Sequence, residues 1–286
     1  MARVRAASLV SLVLTLFLFS IATYAQSYSA PTTPWGDPDL QGIWSGDSAF
    51  GIPIQRPESF GTRAELNDKE YAEKGVAGAE KRRTPPGTYG NGPFNTPEDF
   101  TACDRCLTLG VVGSMTPKIY GNGYRIVQAP GYAVIMAEMI HEARVIPLDG
   151  RPHIGEGIRS YMGDSRGHWE GNTLVVETTH FNGKLGSTGN PVYASPELKV
   201  VERITRTEAD VLRWDATIID PKTFTRPFTI SIPYTSPPGY QVLPYECHEG
   251  NLAILQGLGG ERAEDKALEE TRRRASSVRA GRFKAL

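Results

Sequence analysis

From Tyr124 onward, apolar and polar residues alternate along the chain with a period of two. Val, Ile, Thr and aromatic residues dominate these short segments, and turn-forming residues separate them. The segments are YRIVQAP (124–130), YAVIMAEMI (132–140), ARVIPLD (143–149), TLVVETTHF (173–181), LKVVERITR (198–206), VLRWDATII (211–219) and PFTISIPY (227–234). This pattern predicts antiparallel β-strands joined by turns at Pro130–Gly131, Asp149–Gly150 and Gly171–Asn172.

Strands without intervening helices predict either a β-sandwich or a barrel, and we expect the barrel over residues 123–250 because closure removes exposed strand edges. The fold class predicted is therefore mainly β, an antiparallel meander closed into a barrel. Residues 26–122 predict a Pro- and Gly-rich arm, a helix over 66–81 that Asn67 caps, and loops. Residues 251–286 predict a solvated helix with Glu and Arg four positions apart.

The first 25 residues have the layout of a secretory signal. Arg3 and Arg5 precede an apolar run, and small residues precede an expected cleavage after Ala25. We therefore expect an exported, periplasmic or extracellular protein. Removal of the signal segment takes away two arginines, so the formal charge of the protein moves from −1 to −3. Basic residues interspersed with acids give no nucleic-acid-binding surface, and no later stretch has the about 20 apolar residues of a membrane span.

Three cysteines remain, namely Cys103, Cys106 and Cys247. Export to an oxidising compartment predicts a disulfide between Cys247 and either Cys106 or Cys103, with one thiol left over. The alternative is a zinc site of the three cysteines with His248, although structural zinc sites usually show two close-spaced ligand pairs.

Five stretches carry a family resemblance. They are PWGDPDLQGIWS (34–45), DRCL (104–107), RIVQAPGYAVIMAEMIHEARVIPLDGRPH (125–153), GDSRGHWEGNTLVVETTHFN (163–182) and YECHEGN (245–251). In them the chain resembles a large family of secreted bacterial proteins, common in soil species, most without an assigned reaction. The resemblance covers nearly all of the chain after residue 25 and implies one lipocalin-like β-barrel. The chain departs from the commonest pattern at Asp164 and His168, where histidine and arginine are frequent, and at His180, where asparagine is frequent.

Strand alternation predicts one carboxylate on each of three otherwise apolar strand faces, those of Glu138, Glu177 and Glu202. Glu177, for example, would share its face with Val175. An unpaired buried carboxylate costs several kcal/mol, so each needs a cationic or hydrogen-bonded partner, for which Arg144 and the histidines are available. The acids therefore predict either internal ion pairs or carboxylates placed for proton transfer in a lumen.

The histidines do not have the close spacing of a metal motif. His141 and His153 lie at opposite ends of one predicted strand segment. His141 is expected either as a turn residue or as a general base at the mouth of the lumen. A zinc or copper site would need distant partners such as His168, His180 and His248.

The stretch YMGDSRGHWEG (161–171) has glycines that permit close approach of the backbone to a ligand. Hydrogen-bonding groups are supplied there by Tyr161, Asp164, Ser165, Arg166, His168 and Trp169. Ser165 stands in the letters G-x-S-x-G, but the strand-to-helix context of a nucleophile elbow is missing, so we do not expect it to be a nucleophile.

These patterns favour an exported enzyme without an organic cofactor that converts a small apolar or aromatic molecule by acid–base chemistry, as a lyase, isomerase or hydrolase. The predicted catalytic residues are His141, Glu138, Glu177, Arg144 and Tyr161. The predicted substrate contacts are His153, Asp164, His168, Trp169, Glu202 and His248. The alternatives are a binding protein for a hydrophobic ligand and a metal-dependent hydrolase that uses the histidines. A homo-oligomer is compatible with the sequence.

Overall fold

The computed structural model of the chain describes residues 28–52, 63, 67, 69, 94–184 and 195–283, with side chains up to residue 273. The predicted signal segment and most of the predicted 66–81 helix lie outside the described residues. The described part is mainly β and contains few helices.

Nine strands form one antiparallel sheet. They are β1 Gly42–Ser45, β2 Gly123–Ala129, β3 Tyr132–Ala137, β4 Ala143–Pro147, β5 Asp164–Glu170, β6 Thr173–Thr179, β7 Lys199–Arg206, β8 Val211–Ile219 and β9 Phe228–Thr235. The seven strands predicted after residue 123 are confirmed, because their period of two is a local property of the sequence. Strands β1 and β5 were not predicted, since β1 is short and β5 is interrupted by Gly167.

The strands are ordered β4-β3-β2-β1-β9-β8-β7-β6-β5. Strands that are consecutive in sequence are therefore paired within β2–β4 and within β5–β9, β1 lies between β2 and β9, and the consecutive strands β4 and β5 lie at opposite edges of the sheet. The meander is thus confirmed. Its turns at Gly131 and Gly171 use the positive φ values of 77° and 57° that favour glycine. The predicted turn at Asp149–Gly150 does not join two paired strands, because the next strand, β5, begins only at Asp164 and lies at the other edge of the sheet.

The two edge strands of the sheet, β4 and β5, are not joined by backbone hydrogen bonds among the described residues. Their side chains nevertheless meet. A Cβ atom at Gly167 of β5 would lie 2.6 Å from Leu148 Cδ2 and 2.9 Å from Ile146 Cγ2. The curvature of the sheet therefore brings its two edges into contact through a glycine that leaves room for Ile146.

The core lies on one face of the sheet, which we call the inner face. Every second residue of β7 and β8 is fully buried there, as the alternation predicts. The largest buried side chains are aromatic: Trp44, Tyr124, Trp214 and Tyr234, each at most 1 % exposed. Helix α1, Gly110–Met115, is buried throughout, and the Tyr234 hydroxyl donates to the Met115 carbonyl oxygen.

A second helix, α2, spans Ala253–Phe283 and begins where the solvated C-terminal helix was predicted. Its described side chains are mostly exposed, and Glu269 pairs with Arg273 one turn later. In the part of the chain that the structure describes, neither helix has the length and apolar character needed to cross a membrane.

Cys106 and Cys247 form a disulfide across 141 positions of sequence, with the Cα atoms 5.6 Å apart. Cys103 is the free thiol. The disulfide prediction is therefore confirmed for Cys106, and the alternative three-cysteine zinc site is wrong because two of its ligands are bonded to each other.

The turn after β8 is organised by the buried carboxylate of Asp220. This carboxylate accepts hydrogen bonds from the Ser195 N–H and hydroxyl at 2.6 and 2.7 Å, the Lys222 N–H at 3.1 Å and the Thr223 hydroxyl at 2.7 Å. Burial by itself would raise the pKa of Asp220, but these donors outweigh it and hold the pKa below its usual range.

Candidate functional site

One of the three predicted carboxylates lies inside the core, and it is paired. Glu202 is completely buried on the inner face of β7 and receives both guanidinium nitrogens of Arg144 from β4, one of them at 2.9 Å. Trp214 Nε1 donates to the same carboxylate at 2.8 Å. Arg144 is therefore held in an internal ion pair, which is the structural alternative that the sequence allowed.

Glu138 is also buried, but its carboxylate lies just beyond the end of β3 instead of on a strand face. It accepts hydrogen bonds from the Gly123 N–H at 3.0 Å, the Tyr240 hydroxyl at 2.7 Å and the Leu243 N–H at 3.0 Å. Burial, and then the neighbouring carboxylate, raise the pKa of Tyr240. Glu138 thus fastens the 240–243 segment to the sheet.

The expectation that Glu177 shares a buried apolar face is wrong. The residues of β6 that face the core are Leu174, Val176 and Thr178, and Glu177 lies on the opposite, outer face with 40 % of its side chain exposed. Val175, its neighbour on that face, is itself buried, so the sequence pattern could not distinguish the two faces.

The predicted catalytic set is consequently divided between two faces of the sheet. Arg144 belongs to the inner face and Glu177 to the outer face. His141 is exposed next to β4, where its Nδ1 lies 2.9 Å from the Tyr245 carbonyl oxygen. Tyr161 is half-buried in the segment before β5.

A different group of side chains comes together where β5 begins and β6 ends, and we call it the outer-face cluster: His153, Asp164, His180 and Glu177. His153 Nδ1 lies 2.7 Å from Asp164 Oδ2, and His153 Nε2 lies 3.6 Å from Glu177 Oε1. The rings of His153 and His180 stack with centroids 5.6 Å apart. Asp164 and His153 are only 11 % and 23 % exposed, so the cluster is sheltered without being closed to solvent.

The register of the β5–β6 hairpin creates this arrangement. The two-residue turn at Gly171–Asn172 pairs Asp164 with Thr179, which places His180 next to the start of β5. Gly163 is required there, because a Cβ atom would lie 2.3 Å from the Thr179 carbonyl oxygen and its φ is 65°. His180 itself has a φ of 61°, a strained left-handed conformation that residues other than glycine adopt only rarely, although Asn, Asp and His do so more often than the rest.

Three members of the cluster have a polar partner outside it. Thr179 Oγ1 lies 2.7 Å from His180 Nδ1, and Arg166 Nη1 donates to Asp164 Oδ1 at 2.7 Å. Lys199 of β7 forms an ion pair with Glu177. The cluster therefore contains two carboxylates and two imidazole rings, it is flanked by the two cations Arg166 and Lys199, and these contacts restrict the rotamers of its side chains.

The other predicted substrate contacts are spread over the surface and the core. His168 is exposed, with Nε2 3.2 Å from Glu170, and His248 is exposed near the disulfide. Trp169 packs against the core, and its indole N–H is buried without a hydrogen-bond partner among the described residues. Ser165 shares a 2.8 Å hydrogen bond with Thr178 on the inner face.

Sequence reasoning named His153, Asp164 and Glu177 but assigned them to separate roles, and it mentioned His180 only as a distant metal partner. Arg166 was named as one of the hydrogen-bonding side chains of the 161–171 stretch, whereas the contributions of Thr179 and Lys199 were missed. The signal that could have found His180 is the hairpin itself, because a two-residue turn at 171–172 dictates which residues of β5 and β6 are neighbours.

Comparisons of the chain with protein-family models, with curated proteins and with solved structures found no match. The family resemblance and the lipocalin-like barrel that it implies therefore stay predictions.

Proposed function

We propose that the protein is an exported enzyme that moves protons to and from a small molecule at the outer-face cluster, without an organic cofactor. The observation that carries this proposal is the position of His153 between two carboxylates, with Nδ1 2.7 Å from Asp164 and Nε2 3.6 Å from Glu177. The reaction centre is thus moved from His141, where the sequence put it, to His153.

Asp164 and Glu177 have different parts in this chemistry. A short contact to Asp164 favours the tautomer in which His153 Nδ1 carries the proton, so that Nε2 has a free lone pair. The 3.6 Å between Nε2 and Glu177 is longer than a hydrogen bond, and a substrate group or a water molecule can lie against both atoms. His153 then accepts a proton from that group, and Asp164 stabilises the resulting imidazolium.

The two cations of the cluster are placed to bind developing negative charge. Arg166 and Lys199 each contact one carboxylate of the cluster, and both retain exposed surface, 17 % and 38 % of the side chain. An anionic oxygen on the substrate would be stabilised by such a cation beside a sheltered base. Proton removal next to a carbonyl, elimination and hydrolysis all fit this arrangement, which agrees with the predicted lyase, isomerase or hydrolase classes.

A closed barrel of the lipocalin-like type belongs to the same proposal. The close approach of the Ile146 and Leu148 side chains to the backbone of Gly167 supports closure between β4 and β5. The four large aromatic side chains on the inner face fill space that a ligand in a lumen would need. This packing favours an enzyme site on the outer face over the alternative of a binding protein with a ligand in the barrel interior.

The test begins with thermal-shift screening of the exported protein against small aromatic and terpenoid molecules, followed by mass spectrometry of the products. With a converted compound in hand, His153→Gln should lower turnover about 100- to 10,000-fold, as loss of a general base does. The matched control is Glu197→Gln, a half-exposed carboxylate that pairs with Lys222 outside the cluster. Stabilising compounds that are never converted would support the binding protein instead, and full turnover by His153→Gln would refute the site.

A further inference from the structure

Three side chains of the outer-face cluster have the donor atoms and the spacing of a metal site. We propose that His153, Asp164 and His180 bind one divalent transition-metal ion, with zinc as the simplest case. One ligand atom from each residue lies within 4.8 Å of the other two. The inference rests on the proposed function in that it uses the same cluster, and it adds an inorganic cofactor.

The geometry needs only small adjustments to hold an ion. Ligands about 2.1 Å from a tetrahedral ion lie about 3.4 Å from one another. The present separations are 4.8 Å or less, so no pair of ligand atoms would have to approach by more than about 1.4 Å. The closest pair, His153 Nδ1 and Asp164 Oδ2 at 2.7 Å, shares a proton that an ion would replace.

The surrounding residues orient the ligands as a second layer does in metalloproteins. Thr179 occupies His180 Nδ1 at 2.7 Å, which leaves Nε2 of that ring for the ion. The second nitrogen of His153 faces Glu177, and the second oxygen of Asp164 accepts a hydrogen bond from Arg166. A carboxylate or hydroxyl on the outer nitrogen of a ligating histidine fixes its tautomer and raises its basicity.

The donor set also indicates which ions fit. Two imidazoles and one carboxylate suit zinc, copper, nickel, cobalt and iron, whereas magnesium and calcium prefer a shell of oxygens. Arg166 and Lys199 already neutralise the two carboxylates of the cluster, so net negative charge contributes little and the imidazole nitrogens must supply most of the affinity. This argues against an alkaline-earth site.

Backbone geometry holds the ligands in place before any ion arrives. The strained φ of His180 is maintained by the Ser160 N–H, which donates to the His180 carbonyl oxygen at 3.1 Å, and by the bridge from Ser160 to Phe181. The close approach of Gly163 to Thr179 locks the adjoining turn. A rigid site of this kind binds an ion with less ordering cost than a flexible one.

A bound ion would change the roles within the proposed reaction. Three protein ligands leave a coordination position open, as in catalytic zinc sites. His153 as a ligand can no longer accept a proton, and Glu177 then becomes the proton acceptor, 3.6 Å from His153 Nε2. Within the proposed classes, this arrangement favours hydrolysis.

The exported protein is first freed of metal with a chelator. It is then titrated with Zn²⁺ in competition with a chromophoric chelator, and separately with Co²⁺, whose binding is followed by visible absorption spectroscopy. We expect one ion per chain and the intense absorption of four-coordinate Co²⁺. His180→Asn and Asp164→Asn should each weaken Zn²⁺ binding at least 100-fold, while Asp215→Asn, a partly exposed carboxylate paired with Arg213, should bind like wild type. Should the ligand variants fail to fold, Thr179→Val should still weaken binding 10- to 100-fold.

Two results would overturn the metal site: Zn²⁺ binding that is equal in wild type and all cluster variants, or no binding to wild type at all. Failure of the proposed function looks different. Turnover that survives complete chelation but still needs His153 would refute the metal site and support the proposed enzyme. Stoichiometric Zn²⁺ binding that depends on His180, in a protein that converts no compound, would support the metal site and refute the proposed enzyme.

Discussion

The buried pair of Arg144 and Glu202 gives the sharpest test of how the interior is stabilised. Arg144→Met removes the cation and leaves the Glu202 carboxylate inside the core with only the Trp214 N–H, at 2.8 Å, as a described donor. Breaking a buried pair on one side costs about 3–5 kcal/mol, because the remaining charge is buried and uncompensated. The midpoint temperature of thermal unfolding changes by about 2–4 °C per kcal/mol for a domain of this size, so it should fall by about 6–20 °C in this variant.

The double variant should recover most of that loss. Replacing both residues by apolar ones, as Arg144→Met with Glu202→Leu, removes both charges and leaves one buried Trp214 N–H without its acceptor. An unsatisfied buried donor costs about 1–3 kcal/mol, whereas the two single variants together would cost about 6–10 kcal/mol. The coupling free energy between the two positions is therefore expected to be several kcal/mol.

Urea unfolding followed by circular dichroism measures all four members of this cycle, provided the m-values agree. The control cycle uses Glu269 and Arg273 on α2, whose side chains are 62 % and 77 % exposed, and its coupling should not exceed about 0.5 kcal/mol. The reasoning is refuted if Arg144→Met costs less than about 1 kcal/mol, or if the double variant is as unstable as the sum of the single ones.

Three further outcomes follow from the fold. Replacing Cys106 and Cys247 by alanine should cost about 2–5 kcal/mol, and mass spectrometry of unreduced peptides should link these two cysteines to each other. Asp220→Asn should cost about 1.5–3 kcal/mol near pH 7. Because the folded pKa of Asp220 is lowered, its contribution is present above pH 4 and is lost as the pH falls through the folded pKa, so urea unfolding of the variant should show less acid sensitivity than that of wild type. Gly167→Ala should cost about 1–3 kcal/mol by collision with Leu148, and Leu148→Ala should offset part of it; an unchanged unfolding midpoint for Gly167→Ala would show that β4 and β5 do not touch.

The strands, the meander and the disulfide could be predicted because their signals are local or countable. Alternation, turn glycines and three cysteines in a chain with a predicted export signal each restrict the structure without any knowledge of distant contacts. Strand β5 was missed because Gly167 breaks its pattern, and that glycine is present for a tertiary reason, the approach of Ile146.

The site could be predicted only in part. His153, Asp164 and Glu177 were singled out by residue type, but alternation gives two faces and does not say which one is buried. In β6 both faces carry buried valines, Val175 and Val176, so the face that Glu177 shares with Val175 was wrongly expected to be the one that lines the core.

By itself, the sequence determined where strands form, where the chain turns and which residue types can do chemistry, since these depend on a few neighbouring positions. Tertiary structure decided that Arg144 meets Glu202, 58 positions away, inside the core. It also decided that the segment after β4 returns to bring His153 against Asp164 and His180. Such long-range contacts depend on the curvature of the whole sheet and on the path of an irregular segment, and neither can be predicted from a few neighbouring residues.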